Sequence, residues 1–395
     1  MKIFVIVILL SSSALAQVKG SLSGNVEMQG RQVNNSDEAK NEFAQDWDKE
    51  EFYLYQGNLN GKLEFKDSKI QSNLFVRHAK SDLLKKKEPI PYLAPGIYSF
   101  PKKMVSRDVF KLVHTDTGRS SETEYIITNL SYEWNYDNRF AMGRLNINYG
   151  LGEIFNPLNP FNQPTGLTTL NQVSQGADGF NTTFFVNDKH TLNFYILGDK
   201  TQDGYDGQIQ KTLWIHGEYE FTEKLQFDYV AGEDQNRHKL GSQIKYNFDS
   251  SMMFVQVLYQ TDFTDDKPSH PLWDAMIGYD QQLNSKWHLR FEGGYQKMNR
   301  YMTESSFSER FLPAEYFIAI ANQYEIHPLI KITGTVFTDV KDGFTYILNR
   351  NTFSIANNIE ADIFGSIPMV KSSSNDNPAQ KIITTDIGIS LRAFF

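Results

Sequence analysis

The chain closes with the stretch Ile387-Gly-Ile-Ser-Leu-Arg-Ala-Phe-Phe395, in which two kinds of side chain alternate. Counting back by twos from the last residue gives an apolar face formed by Phe395, Ala393, Leu391, Ile389 and Ile387. The residues between them form a mostly polar face, made of Phe394, Arg392, Ser390, Gly388 and Asp386. A period of two residues is typical of a β-strand whose two faces meet different surroundings.

The same alternation recurs in consecutive segments between residues 213 and 296. In the first segment the apolar face is Leu213, Ile215, Gly217, Tyr219 and Phe221, and the wet face is Trp214, His216, Glu218 and Glu220. Each segment has roughly 10 residues, the length of a tilted strand that crosses a membrane. Many such strands, each with one wet face, indicate a barrel whose outer face meets lipid and whose interior meets water.

The composition of the chain is compatible with such a barrel. The 395 residues include 20 Tyr and 29 Phe, enough to form aromatic girdles at both membrane interfaces. A large soluble β-sandwich could also hold many aromatic residues in its core. It would not account for the terminal strand together with the first residues of the chain, which are described next.

The first residues read as a secretion signal. Met1 and Lys2 precede a short apolar run, and an Ala-x-Ala exit ends at Ala16. This run is far shorter than the ~20 residues that a membrane helix needs. We therefore predict a signal peptide over 1–16 and one transmembrane barrel over 17–395. Because the chain has no cysteine, we exclude a lipid anchor on cysteine, disulfides and cysteine-ligated metals.

The spacing of strands and turns predicts an all-β fold, a closed antiparallel transmembrane barrel of 16–18 strands. Short turns are assigned to the periplasmic rim and long loops to the outside, of which the 81–122 and 151–177 loops are the most prominent. We expect a further long loop near 365–380. Both chain ends are expected on the periplasmic side, so the number of strands is even. A barrel of this size is wide enough for an aqueous channel.

The segment from Gly143 to Phe161 carries the strongest local signal. Its alternation predicts that Leu145, Ile147 and Tyr149 face lipid, which assigns Arg144, Asn146 and Asn148 to the lumen. Gly150 and Gly152 allow the strand to bend, and two Asn-Pro pairs then favour an irregular loop. Two interpretations remain open for this loop: a role in narrowing the pore, and a plain structured connection.

Two features resemble known proteins. A terminal aromatic residue on an amphipathic last strand resembles the closing strand of bacterial outer-membrane β-barrels. A strand arginine followed by Gly-x-Gly and then Asn-Pro-x-x-x-Phe, as in residues 144–161, resembles a pattern in large porin-like barrels of Gram-negative bacteria. This second resemblance implies a pore in which Arg144 is the lumenal arginine and the 151–177 loop lies beside it. It does not name a solute.

Charged residues on the predicted wet faces are the candidates for contact with a solute. The pore-lining candidates, in addition to the three residues of the Gly143–Phe161 segment, are Glu218, Asp228, Lys245, Arg290, Glu292 and Arg392. Over all the predicted wet faces acidic residues outnumber basic ones, because Glu64, Glu133, Glu220, Asp274, Asp280, Glu360, Asp362 and Asp386 add to the acids while only Lys62, Arg77 and Lys331 add to the bases. Lining charges act strongly on an ion in a narrow pore. We therefore predict a weak preference for cations.

Motifs for enzymatic or nucleotide chemistry are missing from the sequence. The histidines do not pair at metal spacing, and the chain has neither a nucleophile-elbow motif nor a phosphate-binding loop. The formal net charge of −8 gives no support to nucleic-acid binding. We expect no cofactor, no metal and no enzyme activity.

The sequence thus predicts an outer-membrane porin through which small hydrophilic solutes diffuse passively. The expected partners are outer-membrane lipid, lipopolysaccharide and further copies of the chain in a homo-oligomer. Two alternatives stay open: a plugged barrel that serves as a structural surface component, and an outer-membrane hydrolase.

Overall fold

The computed structural model describes residues 19–34, 49–80, 113–117, 121–135, 138–159, 161, 177–200, 209–234, 237–264, 267–268, 271–296, 314–341, 343–369 and 385–395. These ranges consist of β-strands, turns and extended segments. They contain no helix that is long and apolar enough to cross a membrane. The prediction of an all-β fold is confirmed.

The strands follow one another along the chain as successive antiparallel neighbours. Their bounds are β1 Lys19–Asn34, β2 Lys49–Glu64, β3 Ser68–Lys80, β4 Val113–Thr117, β5 Ser121–Asn135, β6 Arg139–Leu145, β7 Ala177–Asn187, β8 His190–Lys200, β9 Ile209–Glu220, β10 Leu225–Asp234, β11 Arg237–Asn247, β12 Ser251–Thr264, β13 Lys267–Pro268, β14 Leu272–Asn284, β15 Trp287–Gln296, β16 Tyr316–His327, β17 Ile330–Asp339, β18 Thr345–Ala356, β19 Ile359–Met369 and β20 Thr385–Phe394.

The sheet closes on itself, because β20 pairs with β1 from Asn25↔Phe394 to Asn34↔Thr385. The closing pair is extended by two backbone hydrogen bonds of 3.0 Å that Gly24 and Phe395 exchange. The closed wall has 18 strands, the upper end of the predicted range, while β4 and β13 are short additions outside the ring. Closure between the first and last strands removes the two edges that an open sheet would expose to lipid.

Alternate residues of each strand face the two sides of the wall. On β20, Ile387, Ile389 and Leu391 are exposed on the outer face, whereas Asp386 and Ser390 are buried in the lumen. The outer face also carries aromatic pairs near the end of the barrel with short turns, such as Tyr219–Phe221 and Tyr246–Phe248. An apolar outer wall with aromatic residues near its rim is the arrangement of transmembrane barrels.

Strands extend into two of the predicted loops. β4 and the first two residues of β5 lie within the predicted 81–122 loop, because residues 113–117 pair with the edge of β5. β19 continues to Met369, well into the predicted 365–380 loop, since its residues 366–369 still pair with β18. The predicted signal peptide, residues 81–112 of the first long loop and residues 162–176 of the second lie outside the described residues. These assignments stay predictions.

Candidate functional site

The candidate site begins where β6 leaves the barrel wall. β6 pairs with β5 as far as Arg144 and with β7 as far as Leu145, and residues 146–159 and 161 then lie inside the barrel. Gly143 has a φ of 121°, a conformation that favours glycine, and a Cβ there would lie 2.1 Å from the carbonyl oxygen of Leu130. β4 occupies the part of the β5 edge that β6 no longer covers. We call residues 146–161 the inner segment.

The start of the inner segment is fixed by apolar packing against the lumenal face of the wall. Leu145, Ile147 and Tyr149 are buried in a cluster that continues into the wall with Ala141, Ala177, Leu197, Trp214, Val230 and Leu258. The Tyr149 ring stacks on His216 with 4.3 Å between ring centroids. The prediction that Leu145, Ile147 and Tyr149 face lipid is therefore wrong. Their alternation is real, but the apolar surface that receives it lies inside the barrel.

The inner segment then turns back on itself through its two asparagines. The Asn156 side chain donates to the carbonyl of Tyr149 at 2.8 Å, and the Asn159 side chain donates to the same carbonyl at 3.3 Å. Asn159 Oδ1 accepts from the backbone N–H of Phe161 at 3.0 Å. The turn brings Leu158 and Phe161 onto the same cluster, where the Phe161 ring lies edge-on to Trp214 at 5.4 Å.

The middle of the inner segment is held by charge instead. The carboxylate of Glu292 on β15 accepts the backbone N–H groups of Glu153 at 2.8 Å and Ile154 at 2.9 Å. Arg290 donates to Glu292 at 2.6 Å and also to the carbonyl of Leu151. Its other contacts are carboxylates, Asp280 at 2.8 Å and Glu153 at 3.2 Å. We call Arg290 and Glu292 the anchor pair.

The two predicted pore-lining residues Arg290 and Glu292 thus face the lumen but touch the inner segment. Both are buried, Arg290 to 6% and Glu292 to 2% exposure. A solute has little access to either side chain. Next to them, the Phe155 ring lies edge-on to Phe317 of β16 at 5.8 Å, so the inner segment reaches from β6 to β16.

Arg144 occupies the place where the wall is interrupted. Its guanidinium donates to both carboxylate oxygens of Asp178 on β7, at 2.7 and 3.0 Å, and to the carbonyl of Ile127 on β5 at 3.1 Å. Arg144 is 2% exposed and Asp178 is 1% exposed. Arg144 thus connects β5 to β7 next to the point where β6 ends. The role of Arg144 as a lumenal arginine, which the resemblance implied, stays a prediction.

The remaining pore-lining candidates differ in their exposure to the lumen. Asn146 and Asn148 are exposed on the side of the inner segment that faces away from its apolar cluster. Asp228 is buried, accepts from Gln226 at 2.7 Å and binds Gln243. Lys245 is half-buried beside this group, while the Glu218 side chain is 44% exposed.

A second charged cluster lines the lumen where the last strands meet the first. Arg392 contacts Glu27, Glu360 and Asp362, each at 3.4 Å. Arg350 pairs with Asp362 at 2.5 Å, and Arg31 pairs with Asp386 at 2.9 Å. The sequence reading missed Arg31 and Arg350. Their signal was available, since Arg31 shares a two-residue period with Glu27 and Gln29, and Arg350 shares one with Leu348 and Thr352.

The inner segment lies against lumenal residues of β8 to β16, while the charged cluster of β18 to β1 is outside its contacts in the described residues. The acids of that cluster are buried as well, with Glu27 and Asp362 each 1% exposed. Within the described ranges no group of three or more histidine, aspartate or glutamate residues could hold a metal ion. The lumenal wall of the described residues thus carries amides and paired charges.

Searches for related proteins found likeness in structure only. A structure of Acinetobacter baumannii OccAB4 superimposes with a TM-score of 0.55 at 9% identity, covering 96% of this chain and 99% of that one. A BenF-like porin from Pseudomonas fluorescens Pf-5 gives 0.55 at 7% identity, covering 95% and 98%. Pseudomonas aeruginosa OccK2 (OpdF), solved in complex with glucuronate, gives 0.54 at 8% identity over the same shares.

No family model matches the chain, and no curated protein matches it. The structural superpositions show that the chain shares the closed porin-like barrel fold of these structures over nearly its whole length. At identities of 7–9%, this likeness describes the fold and does not transfer a solute.

Proposed function

We propose that the protein is a porin of the bacterial outer membrane through which small hydrophilic solutes diffuse passively. The observation that carries this proposal is the closed barrel of 18 strands with an apolar outer face and a polar lumen. A barrel of this number of strands encloses more space than its own side chains fill. The inner segment narrows that space along the wall of β8 to β16.

The inner segment gives this pore a charge bias. Glu153 is the one charged residue of the inner segment, and its side chain is 57% exposed. The buried Arg290 contacts it at 3.2 Å from the wall side, which holds the carboxylate in place without covering it. Across the lumen, the arginines of the charged cluster are each paired with an acid. Arg290 is shared by Glu153, Asp280 and Glu292, so this group keeps excess negative charge, and its exposed member Glu153 favours cations over anions in the pore.

Single-channel recording in planar lipid bilayers tests the proposal. The purified full-length protein is expected to give discrete conductance steps, and the reversal potential in a KCl gradient is expected to have the sign of a weak cation preference. A Glu153→Gln variant should keep the steps and move the reversal potential toward zero. Glu223→Gln, which changes an acid in the exposed turn after β9, is the matched control and should leave selectivity unchanged.

Three results would count against the proposal in different ways. A protein that inserts into bilayers without conductance steps would be a plugged barrel with a structural role. Steps with an anion-selective reversal potential would keep the pore and overturn the role of Glu153. Activity on ester, phospholipid or peptide substrates in the same preparation would favour the hydrolase alternative.

A further inference from the structure

The outer face of the barrel carries amide side chains where only apolar ones are expected. Asn349 and Asn351 of β18 alternate with the lumenal Leu348, Arg350 and Thr352, so they point outward. Asn322 of β16 points outward as well, between the exposed Ile320 and Tyr324. We call Asn322, Asn349 and Asn351 the outer amide patch.

The outer amide patch lies within the apolar band and away from the rims. Along the outward face of β18, Ile347 precedes the two asparagines and Phe353 and Ile355 follow them. On β16 the outward neighbours of Asn322 within the strand are apolar or aromatic. An amide in hydrocarbon is costly unless each donor and acceptor has a partner.

The hydrogen bonds made by the described residues satisfy only some of the donors and acceptors of the outer amide patch. Asn322 Oδ1 accepts from the Trp287 indole at 2.6 Å, Asn351 donates to Asn349 Oδ1 at 2.7 Å, and Asn349 donates to the carbonyl of Thr333 at 3.2 Å. The amino group of Asn322 and the side-chain oxygen of Asn351 have no partner among the described residues. The patch thus keeps free donors and free acceptors on an outward surface.

Glycines beside the outer amide patch leave it accessible to a flat partner surface. Gly334 lies between Asn322 and Asn349 in the sheet register, and Gly365 lies on the other side of Asn349. A Cβ added at Gly334 would meet nothing closer than 3.8 Å. The neighbouring outward residues are aliphatic: Ile318, Ile320, Ile332, Val336, Ile347, Ile363 and Ile367.

We propose that a second copy of this chain covers the outer amide patch, and that the two copies are related by a two-fold axis perpendicular to the membrane. An amide group is both donor and acceptor, so a patch of amides is complementary to itself. A two-fold axis along the membrane normal keeps every residue at its depth and places each patch against its own copy. A three-fold ring would place the patch against a different surface.

No other outward surface offers the same complement in the part of the chain that the structure describes. Gln32 and Asn34 of β1 bind each other at 3.3 Å, and Gln281 of β14 accepts from Tyr279 at 2.6 Å. These amides lie near the ends of their strands, since Asn34 is the last residue of β1 and only three residues of β14 follow Gln281, so they are not in the middle of the apolar band. The observation therefore favours self-pairing of β16–β18 over a contact between different faces. The inference rests on the proposed membrane location but not on an open lumen.

Cysteine cross-linking tests this geometry, because the chain has no cysteine of its own. A Gly334→Cys variant of the full-length protein, oxidised in outer membranes, is expected to give a band of two chains on a denaturing gel. Only a residue close to a two-fold axis can reach its own copy. Gly57→Cys is the matched control, since Gly57 also faces outward from a strand with no atom closer than 3.7 Å to an added Cβ.

A second measurement removes the amides. The variant carrying Asn322→Leu, Asn349→Leu and Asn351→Leu should run as a single chain in nanodiscs by mass, where the unchanged protein runs as two. Its retained barrel is checked by the heat-dependent shift on denaturing gels. A wild-type mass of one or three chains, the absence of a Gly334→Cys dimer, or equal cross-linking at Gly57→Cys would overturn the proposal.

The same samples separate this inference from the proposed function. Conductance steps from a protein that is a single chain would refute the interface and keep the pore. A cross-linked pair without conductance would keep the interface and refute the pore.

Discussion

The inner segment is attached to the barrel in two different ways, and the contrast explains how the pore is shaped. Its first and last residues pack in an apolar cluster around Trp214, with no charge involved. Its middle is held by Glu292 of the anchor pair, whose carboxylate accepts hydrogen bonds from two backbone N–H groups. Apolar packing is tolerant of small shifts, whereas two N–H groups on one carboxylate fix position and direction. The ends thus supply adhesion, and the middle sets where the passage is narrowest.

The largest expected effect is a loss of barrel stability on replacing Arg144, which lies just before the inner segment. Arg144→Met removes the guanidinium from the buried carboxylate of Asp178, and breaking a buried ion pair from one side costs about 3–5 kcal/mol. We expect a lower midpoint in denaturant unfolding of the detergent-solubilised barrel. The double variant Arg144→Met with Asp178→Asn should recover part of the loss. Equal stability of the single variant and the unchanged protein would show that the pair does not hold the wall.

A somewhat smaller effect is expected in the apolar attachment. Leu158 is 1% exposed and sits against Gly241 of β11, so Leu158→Ala opens a cavity that costs about 2–5 kcal/mol where it cannot collapse. Because the inner segment can detach without unfolding the wall, we expect increased current noise at nearly unchanged barrel stability. Leu240→Ala removes an equal side chain from the outer face and should leave the noise as it was.

The smallest effect in free energy concerns the anchor pair, although it reports most directly on the geometry of the pore. Glu292→Gln keeps one acceptor oxygen and removes the charge, so one backbone N–H of the inner segment loses a strong partner, a change of about 1–3 kcal/mol. The expected result is a higher or fluctuating single-channel conductance. Glu218→Gln changes a lumenal acid that does not hold the inner segment and should show stable steps. Stable, unchanged steps in both variants would contradict the anchoring role.

The sequence was sufficient to predict the wall, because lipid on one side and water on the other impose a strict period of two. It was not sufficient for the inner segment. Ile147 and Tyr149 alternate with Asn146 and Asn148 in the way that a wall strand does. An apolar face inside the barrel and an apolar face toward lipid leave the same pattern in the chain. Only the positive φ of Gly143 and the missing pairs beyond Leu145 distinguish them.

The roles of single charged residues were equally hard to predict. Arg290 and Glu292 were assigned to the lumen by their period, and they do face it. Their partners are residues 151–154, which are separated from them by more than 130 positions. Periodicity gives the direction of a side chain but not what lies in front of it. The two-residue period also gives the lumenal direction of Arg31 and Arg350, which were not among the predicted residues.

The anchor pair also constrains the order in which the barrel is built. The backbone N–H of Glu153 binds the carboxylate of Glu292, which is 139 positions further along the chain. Contacts between such distant positions form late in folding. In a partly formed sheet that ends before β15, the inner segment would therefore lack its contact with the anchor pair. The pore would reach its final width only when the last third of the wall has formed. A slow phase in the recovery of channel steps, after the far-ultraviolet signal of the sheet has settled, would be the kinetic trace of that sequence.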